Sequence, residues 1–360
     1  MPYILSVGTG VPQNEITQKD AMEFARHLFS QSANNIERLL KVFHNGEIEK
    51  RHIAKNIEWY QNDHSFSEKN DAFIESAVEL SIEAIDNCLT SSLLQSKVEY
   101  GEIDAIIMVC TTGLATPSLD ARIMNALPFS RHMKRIPIWG LGCAGGAAGL
   151  SRANEYCRAF PSAKVLVVAV ELCSLTFQKA DLSKSNLIGT SLFADGAAAA
   201  LVVGSEADCR SLNSRPLPKV IDTKSTLLND SLDVMGWDIK NEGLFVVFSK
   251  SIPSIIENWL EPNVSGFLEE QQMAISDVEH FIAHPGGKKV IMAYEEALQL
   301  PEGKTAESLN VLRDYGNMSS ASVLFVLEQF LRKDVKGGEY GIITALGPGF
   351  SSELLLVRWE

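Results

Sequence analysis

The stretch Ile136–Phe160, IPIWGLGCAGGAAGLSRANEYCRAF, is the part of this chain that leaves the fewest folds open. Ile136, Ile138, Trp139 and Leu141 are apolar with no charge among them, which predicts a strand covered on both faces. Pro137 is tolerated only near the start of such a strand. Gly142, Gly145 and Gly146 bracket Cys143 with residues that allow close backbone approach. From Ala144 to Phe160 the chain is rich in helix formers and stops before Pro161, which predicts a helix. Cys143 therefore sits where a strand hands over to a helix N-terminus. There the helix dipole and free N–H groups favour a thiolate. Two readings stay open on this stretch alone: a nucleophile, or a small buried cysteine filling a tight turn.

Composition narrows the class. The 360 residues suffice for two medium domains or one large fused core. No run of eighteen apolar residues occurs, so no membrane span is expected. The opening MPYILSVGTG lacks the basic start of a signal peptide, and a cytoplasmic location is expected. Cys88, Cys110, Cys143, Cys157, Cys173 and Cys209 form no CxxC pair and no His-spaced cluster, so neither a metal site nor a disulfide framework is expected. A net charge of −13 argues against nucleic-acid binding. It leaves room for a local basic patch facing an anionic ligand.

The pattern of strands and helices suggests a duplication. Tyr3–Val7 reads as a strand, Thr17–Phe29 as a helix capped by Thr17, and Ala33–Phe43 as a second helix. His44–Ala54 reads as a polar loop holding Lys50, Arg51 and His52, either a solvated face or an entrance for a phosphate-bearing ligand. Asp71–Leu94 reads as a long amphipathic helix, and Ile103–Val109 as a strand leading through CTTGLATPSLD into the helix Leu119–Leu127. Lys164–Val170 is a strand, and a turn at Asp195–Gly196 precedes a small-residue strand to Val203. Glu206–Pro218 is polar and marks the boundary between a first unit, 1–205, and a second, 206–360. In the second unit the strand Val278–Ala283, the turn HPGG and a helix from Lys288 parallel the earlier strand, loop and helix. The helix Asn317–Leu331 parallels the one that Cys143 opens. Tyr340–Ala345 and Glu353–Trp359 parallel Lys164–Val170 and Ala197–Val203. Two α/β halves of this kind pack side by side, and loops at matching strand ends converge where they meet.

Three polar residues then occupy matching turns: Cys143, His284 and Asn317. His284 ends the apolar run FIAH and precedes Pro285-Gly286-Gly287, the context of a placed imidazole or of a core histidine bonded to backbone. Asn317 follows Gly316 at a helix start, where an ordinary N-cap is the alternative. His280 reads as a surface or strand-edge residue. Together Cys143, His284 and Asn317 make a set suited to acyl transfer. The thiol is the nucleophile, activated by ion pairing with histidine, and His and Asn donate to a developing oxyanion or enolate. Papain-like hydrolases use the same three residue types but a different sequence around the cysteine, which GLGCAGGAAG lacks.

At these residues the chain resembles the type III polyketide synthases, the family of plant chalcone synthase and its bacterial relatives. WGLGCAGGAAGL, IAHPGGKKVI, YGNMSSASVLFVL and LGPGFSSE match that family's signatures in order over the whole length. The wording TGLATPSLDARI is similar to the bacterial branch, and most to the Bacillus-type alkylpyrone synthases. The resemblance implies a thiolase fold of duplicated αβαβα layers and a homodimer. It implies repeated decarboxylative condensation of malonyl-CoA onto an acyl-CoA starter, with no cofactor beyond the CoA thioesters. Cys143 would carry the acyl chain, while His284 and Asn317 would hold the malonyl thioester carbonyl. Phe193 matches a gatekeeper phenylalanine, and Val246 falls where the plant enzymes have a second one. Cys173, Thr176 and Thr116, with the turn Gly347, Pro348 and Gly349, correspond to pocket positions. Lys50 and Arg51, with Gly286, Gly287 and Lys288, are the candidates for CoA. The competing expectation is a single-condensation enzyme of the ketoacyl-ACP synthase III kind, and a thiolase-fold scaffold without activity is a third. HPGG and the Gly347–Gly349 turn fit the polyketide family better.

Overall fold

The computed structural model of the chain describes residues 1–29, 36–208 and 215–360. Its strands are β1 (Tyr3–Gly10), β2 (Asn14–Thr17), β3 (Lys50–Ile53), β4 (Ala105–Cys110), β5 (Lys134–Trp139), β6 (Lys164–Leu172) and β7 (Asp195–Val203) in the first part. They continue as β8 (Pro218–Leu227), β9 (Met235–Lys240), β10 (Gly243–Phe248), β11 (His280–Ala283), β12 (Tyr340–Gly347) and β13 (Ser351–Trp359). The helices are α1 (Gln18–Phe29), α2 (Ile36–Asn45), α3 (Ile57–Tyr60), α4 (Phe66–Leu89), α5 (Leu119–Ala126), α6 (Gly145–Ala159), α7 (Lys184–Leu192), α8 (Ile252–Glu270), α9 (Lys288–Ala297), α10 (Ala306–Tyr315) and α11 (Ser322–Arg332).

Among the described residues one sheet has nine strands in the order β11-β12-β13-β8-β1-β7-β6-β4-β5. Read outward from its middle, it repeats itself. β1, β7, β6 and β4 pair antiparallel, antiparallel, then parallel. β8, β13, β12 and β11 pair in the same sequence of senses. The two series touch where β1 meets β8 at Tyr3 and Lys219.

Strand alternation builds the layers. In β7, Ala198, Ala200 and Val202 face a central core with Leu150 of α6 and Leu324 and Leu327 of α11. Their neighbours Ala197, Ala199, Leu201 and Val203 face Phe73, Ala77 and Ala84 of α4. β13 does the same: Leu355, Val357 and Trp359 face the centre, while Leu354 and Leu356 meet Ile256, Leu260 and Phe267 of α8. A period of two places successive side chains on opposite faces, so both series are covered twice. The result is helix, half-sheet, helix, half-sheet, helix, the two half-sheets being continuous through β1 and β8, a thiolase-like arrangement. α6 is small-sided where it enters the centre. A Cβ on Gly146 would lie 2.2 Å from the Ser320 carbonyl oxygen, so only glycine lets these two segments meet.

Several expectations need correction. β5 is the edge of the sheet, not a strand covered on both faces; Lys134, Arg135, Pro137 and Trp139 are exposed. Pro137 suits that edge, since it has no N–H to give a further strand. His44–Ala54 is not a loop throughout: Lys50–Ile53 pairs with β2 as β3. Asp195 opens β7 directly instead of forming a turn, and it is buried. Asn317 precedes α11 in an irregular segment that passes through a short helical turn at Ser319–Ala321. Residues 33–35 of the expected second helix, and 209–214 of the polar boundary, lie outside the described residues. No helix among the described residues is long and apolar enough to cross a membrane.

Candidate active site

Cys143 lies in a single helical turn, Gly142–Ala144, that opens α6. Gly142 has φ +48, and a Cβ there would strike Pro348 at 2.7 Å, so the Gly347–Gly349 turn rests directly on the cysteine turn. The Gly142 N–H donates to Thr111 Oγ1 at 3.1 Å, which ties the turn to the end of β4. The thiol itself points to the other half, where it donates to Ser319 Oγ at 3.6 Å.

Asn317 is held at both its backbone and its amide. Its N–H donates to the Leu192 carbonyl at 3.0 Å, and its carbonyl accepts from the Ala194 N–H at 2.9 Å, which brackets Phe193. Its Oδ1 accepts from the Ser319 N–H at 2.8 Å, and its Nδ2 donates to the Gly286 carbonyl at 3.1 Å. The Gly286 N–H in turn donates to the His284 carbonyl at 2.9 Å. One chain of contacts thus runs from Cys143 through Ser319, Asn317 and Gly286 to His284. His284 continues β11, its N–H donating to the Thr344 carbonyl at 2.8 Å. Its ring is only 2% exposed, and neither ring nitrogen has a hydrogen-bond partner among the described residues.

Burial governs the charges here. It pushes the Cys143 thiol up to about 11, with Glu171 pushing the same way and Ser319 and Asn317 pulling back. Burial drives the His284 imidazole down to about 3. Both shifts disfavour the charged forms of the expected thiolate–imidazolium pair, and no hydrogen bond joins the two side chains. Desolvation is the larger influence on the thiol, although Cys143 itself is not fully buried. Behind the thiol lies Glu171, fully buried and pushed up to about 7. It accepts from the Thr111 and Thr112 N–H groups at 3.0 and 3.1 Å, from Thr112 Oγ1 at 2.8 Å, and from Ser320 Oγ at 2.6 Å. One carboxyl thus joins the strand end beneath Cys143 to the turn that carries Asn317.

Near this site runs a mostly apolar slot of about 70 Å³, open to solvent in part and lined by none of Cys143, His284 and Asn317. Phe193, Cys173, Thr176 and Val246, four of the expected pocket residues, all line it, together with Phe24 and Ile57. Thr116 and the Gly347–Gly349 turn do not. The expected CoA group is dispersed. Arg51 is 1% exposed and donates to the carbonyls of Thr190, Phe193 and Ser191 at 2.8, 3.0 and 3.0 Å, and to Gln18. It closes the end of α7 and cannot also meet a phosphate in solvent, which corrects that assignment. Lys50 pairs with Glu15 at 2.7 Å and Lys288 with Glu47, both near the surface. Gly286 serves Asn317, and Gly287 precedes the first turn of α9. Sequence reasoning missed Ser319 and Glu171. The serine stands in NMSSAS in plain view, but its left-handed φ of +47 and its place beside the thiol carry no sequence signal. Glu171 ends a run of apolar strand residues, and a charge at that position was a usable sign of a buried polar network.

Comparison with known proteins extends this geometry. Residues 1–207 match the model of the N-terminal domain of chalcone and stilbene synthases, and residues 219–359 that of their C-terminal domain. The chain belongs to the chalcone and stilbene synthase family. It is 51% identical over 362 residues to a Bacillus subtilis (strain 168) protein named "Putative chalcone synthase", covering 100% of this chain and 99% of that one. It is 35% identical to 1,3,6,8-tetrahydroxynaphthalene synthase of Streptomyces peucetius subsp. caesius, over 99% of this chain and 93% of the relative. The crystal structure of the tetrahydroxynaphthalene synthase of Streptomyces coelicolor A3(2), a bacterial type III polyketide synthase, superposes with a TM-score of 0.92 at 29% identity, over 99% of each chain. This chain is accordingly a type III polyketide synthase, a transferase that catalyses condensation, on a thiolase-like fold.

Proposed function

We propose that this type III polyketide synthase extends a medium- or long-chain acyl-CoA starter with malonyl-CoA and cyclises the product to an alkylpyrone. The observation that carries the reading is the apolar slot lined by Phe193, Cys173, Thr176 and Val246, a surface suited to an alkyl chain. Cys143 attacks the starter thioester carbonyl, the bond to CoA sulfur breaks, and the thiol proton goes to the departing CoA. A malonyl-CoA carbonyl then lies against His284 Nε2 and the remaining N–H of Asn317. Loss of CO2 leaves the enolate of acetyl-CoA, and these two donors stabilise its oxygen. The enolate carbon attacks the thioester on Cys143 and frees the thiol, and the lengthened chain returns to Cys143 for the next round. A buried imidazole with unpartnered nitrogens supports this role, since a bound carbonyl satisfies it.

Lys50 and Lys288 remain as surface cations for the CoA phosphates. The exposed side of β5, with Trp139 45% exposed, supports a homodimer formed on that face. A cytoplasmic setting fits the CoA substrates. The test is product mass spectrometry after incubation with malonyl-CoA and acyl-CoA starters of graded length, with Cys143→Ala alongside. Starters extended by several acetate units in the wild type only would support the reading. One condensation, or extension only from an ACP-bound extender, would overturn it.

A further inference from the structure

We infer that Tyr60, Ser174 and Asp195 form a proton relay at a polar end of the slot, which takes the enol proton when the finished chain closes to a pyrone; the inference rests on the slot being the site of that chain. The slot is mostly apolar, yet Arg51, Tyr60 and Ser174 also line it. An alkyl chain has no use for these groups. A β-keto chain does, because its oxygens need donors and acceptors once they leave water. Arg51 is 1% exposed, and its Nε has no hydrogen-bond partner among the described residues. That N–H is free to hold a keto or enolate oxygen. Ser174 follows Cys173, a lining residue near enough to Cys143 for charge on one sulfur to act on the other. The polar end thus lies toward the thioester, where the keto groups of the chain stand.

The hydrogen bonds run in one direction. The Ser174 and Ala54 N–H groups donate to Asp195 Oδ1 and Oδ2, each at 2.7 Å, and Ser174 Oγ donates to Oδ2. A hydroxyl has one proton, so Ser174 Oγ accepts in the 2.5 Å bond that joins it to Tyr60 Oη. Tyr60 therefore donates to Ser174, and Ser174 to Asp195. Burial raises the Asp195 carboxyl to about 7, with Ser174, Ala54 and the charge of Arg51 pulling back. Arg51, Tyr60 and Cys173 are the ionisable groups that face it from β3, α3 and the turn after β6. Burial, with Asp195 adding to it, raises Tyr60 well above its usual value, so it passes a proton on and never rests as a phenolate. In the step itself, the C5 enol oxygen of the chain attacks the C1 thioester carbonyl. The O–C bond forms, the C–S bond breaks, and the electron pair stays on the Cys143 sulfur. The enol proton passes to Tyr60, that of Tyr60 to Ser174, and that of Ser174 to Asp195 Oδ2. Asp195 afterwards releases its proton and Cys143 takes one up, so none is consumed.

The test follows the chain on Cys143 by intact mass after rapid quench, with malonyl-CoA and linear acyl-CoA starters of graded length, in wild type, Tyr60→Phe, Ser174→Ala and Ser174→Thr. Two rates are read: the first condensation, and release of the finished chain. Tyr60→Phe and Ser174→Ala should slow release at least about tenfold more than the first condensation, so that extended chains accumulate on Cys143. Ser174→Thr keeps the hydroxyl and should release near the wild-type rate. Wild-type release should rise with pH through about 7, as Asp195 ionises, and Ser174→Ala should lose that rise. Release in Tyr60→Phe at the wild-type rate, with an unchanged melting temperature, would overturn the inference. So would equal slowing of both steps, which is what a merely structural role produces. Should Ser174→Ala fail to fold, Tyr60→Phe supplies the same comparison. A wild type that extends only short starters would sink the long-chain reading, while release from Cys143 in Tyr60→Phe would still decide the relay.

Discussion

The two halves of the sheet carry the same turns and different chemistry. At the helix that enters the central layer, the first half presents a thiol, Cys143, and the second an amide, Asn317. At the end of the matching parallel strand, the first half presents Thr111 and Thr112 and the second His284. The threonines turn inward to a buried carboxyl, whereas the imidazole is left without a partner. Duplication thus supplies four converging positions; in the proposed reaction one serves as nucleophile, two as donors and one as support. A site built this way has no spare copy: each half holds something the other has lost.

The most severe break is Cys143→Ala. Product formation should fall at least about a thousandfold with the melting temperature unchanged, because the side chain removed is small and its hydrogen bond to Ser319, at 3.6 Å, is long. His284→Ala and Asn317→Ala break the other half. Each should cost about a hundredfold to a thousandfold in malonyl-CoA decarboxylation, read by CO2 release. Acylation of Cys143 by starter, read by intact mass, should survive better in Asn317→Ala than decarboxylation does. Equal losses in the two assays would erase the division of labour.

Gly146→Ala tests the seam between the halves and not the chemistry. The added methyl meets the Ser320 carbonyl oxygen at 2.2 Å, so stability should fall by about 1–3 kcal/mol in denaturant melts. Glu171→Gln sharpens the comparison by pH. Burial raises the carboxyl from 4.5 to about 7, so the folded state holds its proton after the unfolded chain has released it. Stability contributed by this group is present below pH 4.5 and is lost as pH rises toward 7. The glutamine variant should therefore show a flatter melting temperature across that window.

Much of the layered fold was legible because it rests on period and order. AAAALVV in β7 and LLLVRW in β13 alternate between two cores, and the repeated strand–turn–helix order announced the duplication. The place of β5 was not legible: IPIW is equally apolar at a sheet's edge and at its centre, and only the neighbours decide. Arg51 looked like a solvent cation because KRH is a polar word, yet pairing with β2 turns it inward. The candidate site was legible as residue types at matching turns. Its electrostatics were not, since the burial that disfavours charge at Cys143 and His284 is contributed by several layers at once. Nor was the bond between Ser319 and the thiol, which depends on a backbone angle that serine seldom adopts.

The Arg51 clamp has a mechanical consequence. Its guanidinium gathers the last carbonyls of α7 and that of Phe193 into one buried joint. A joint of this kind stores no slack, so the wall that follows it behaves as a fixed gauge and not as a spring. Starter choice would then be made by dimension, before a covalent bond forms. The preference among acyl chains should be the same in rapid-mixing binding as in steady turnover.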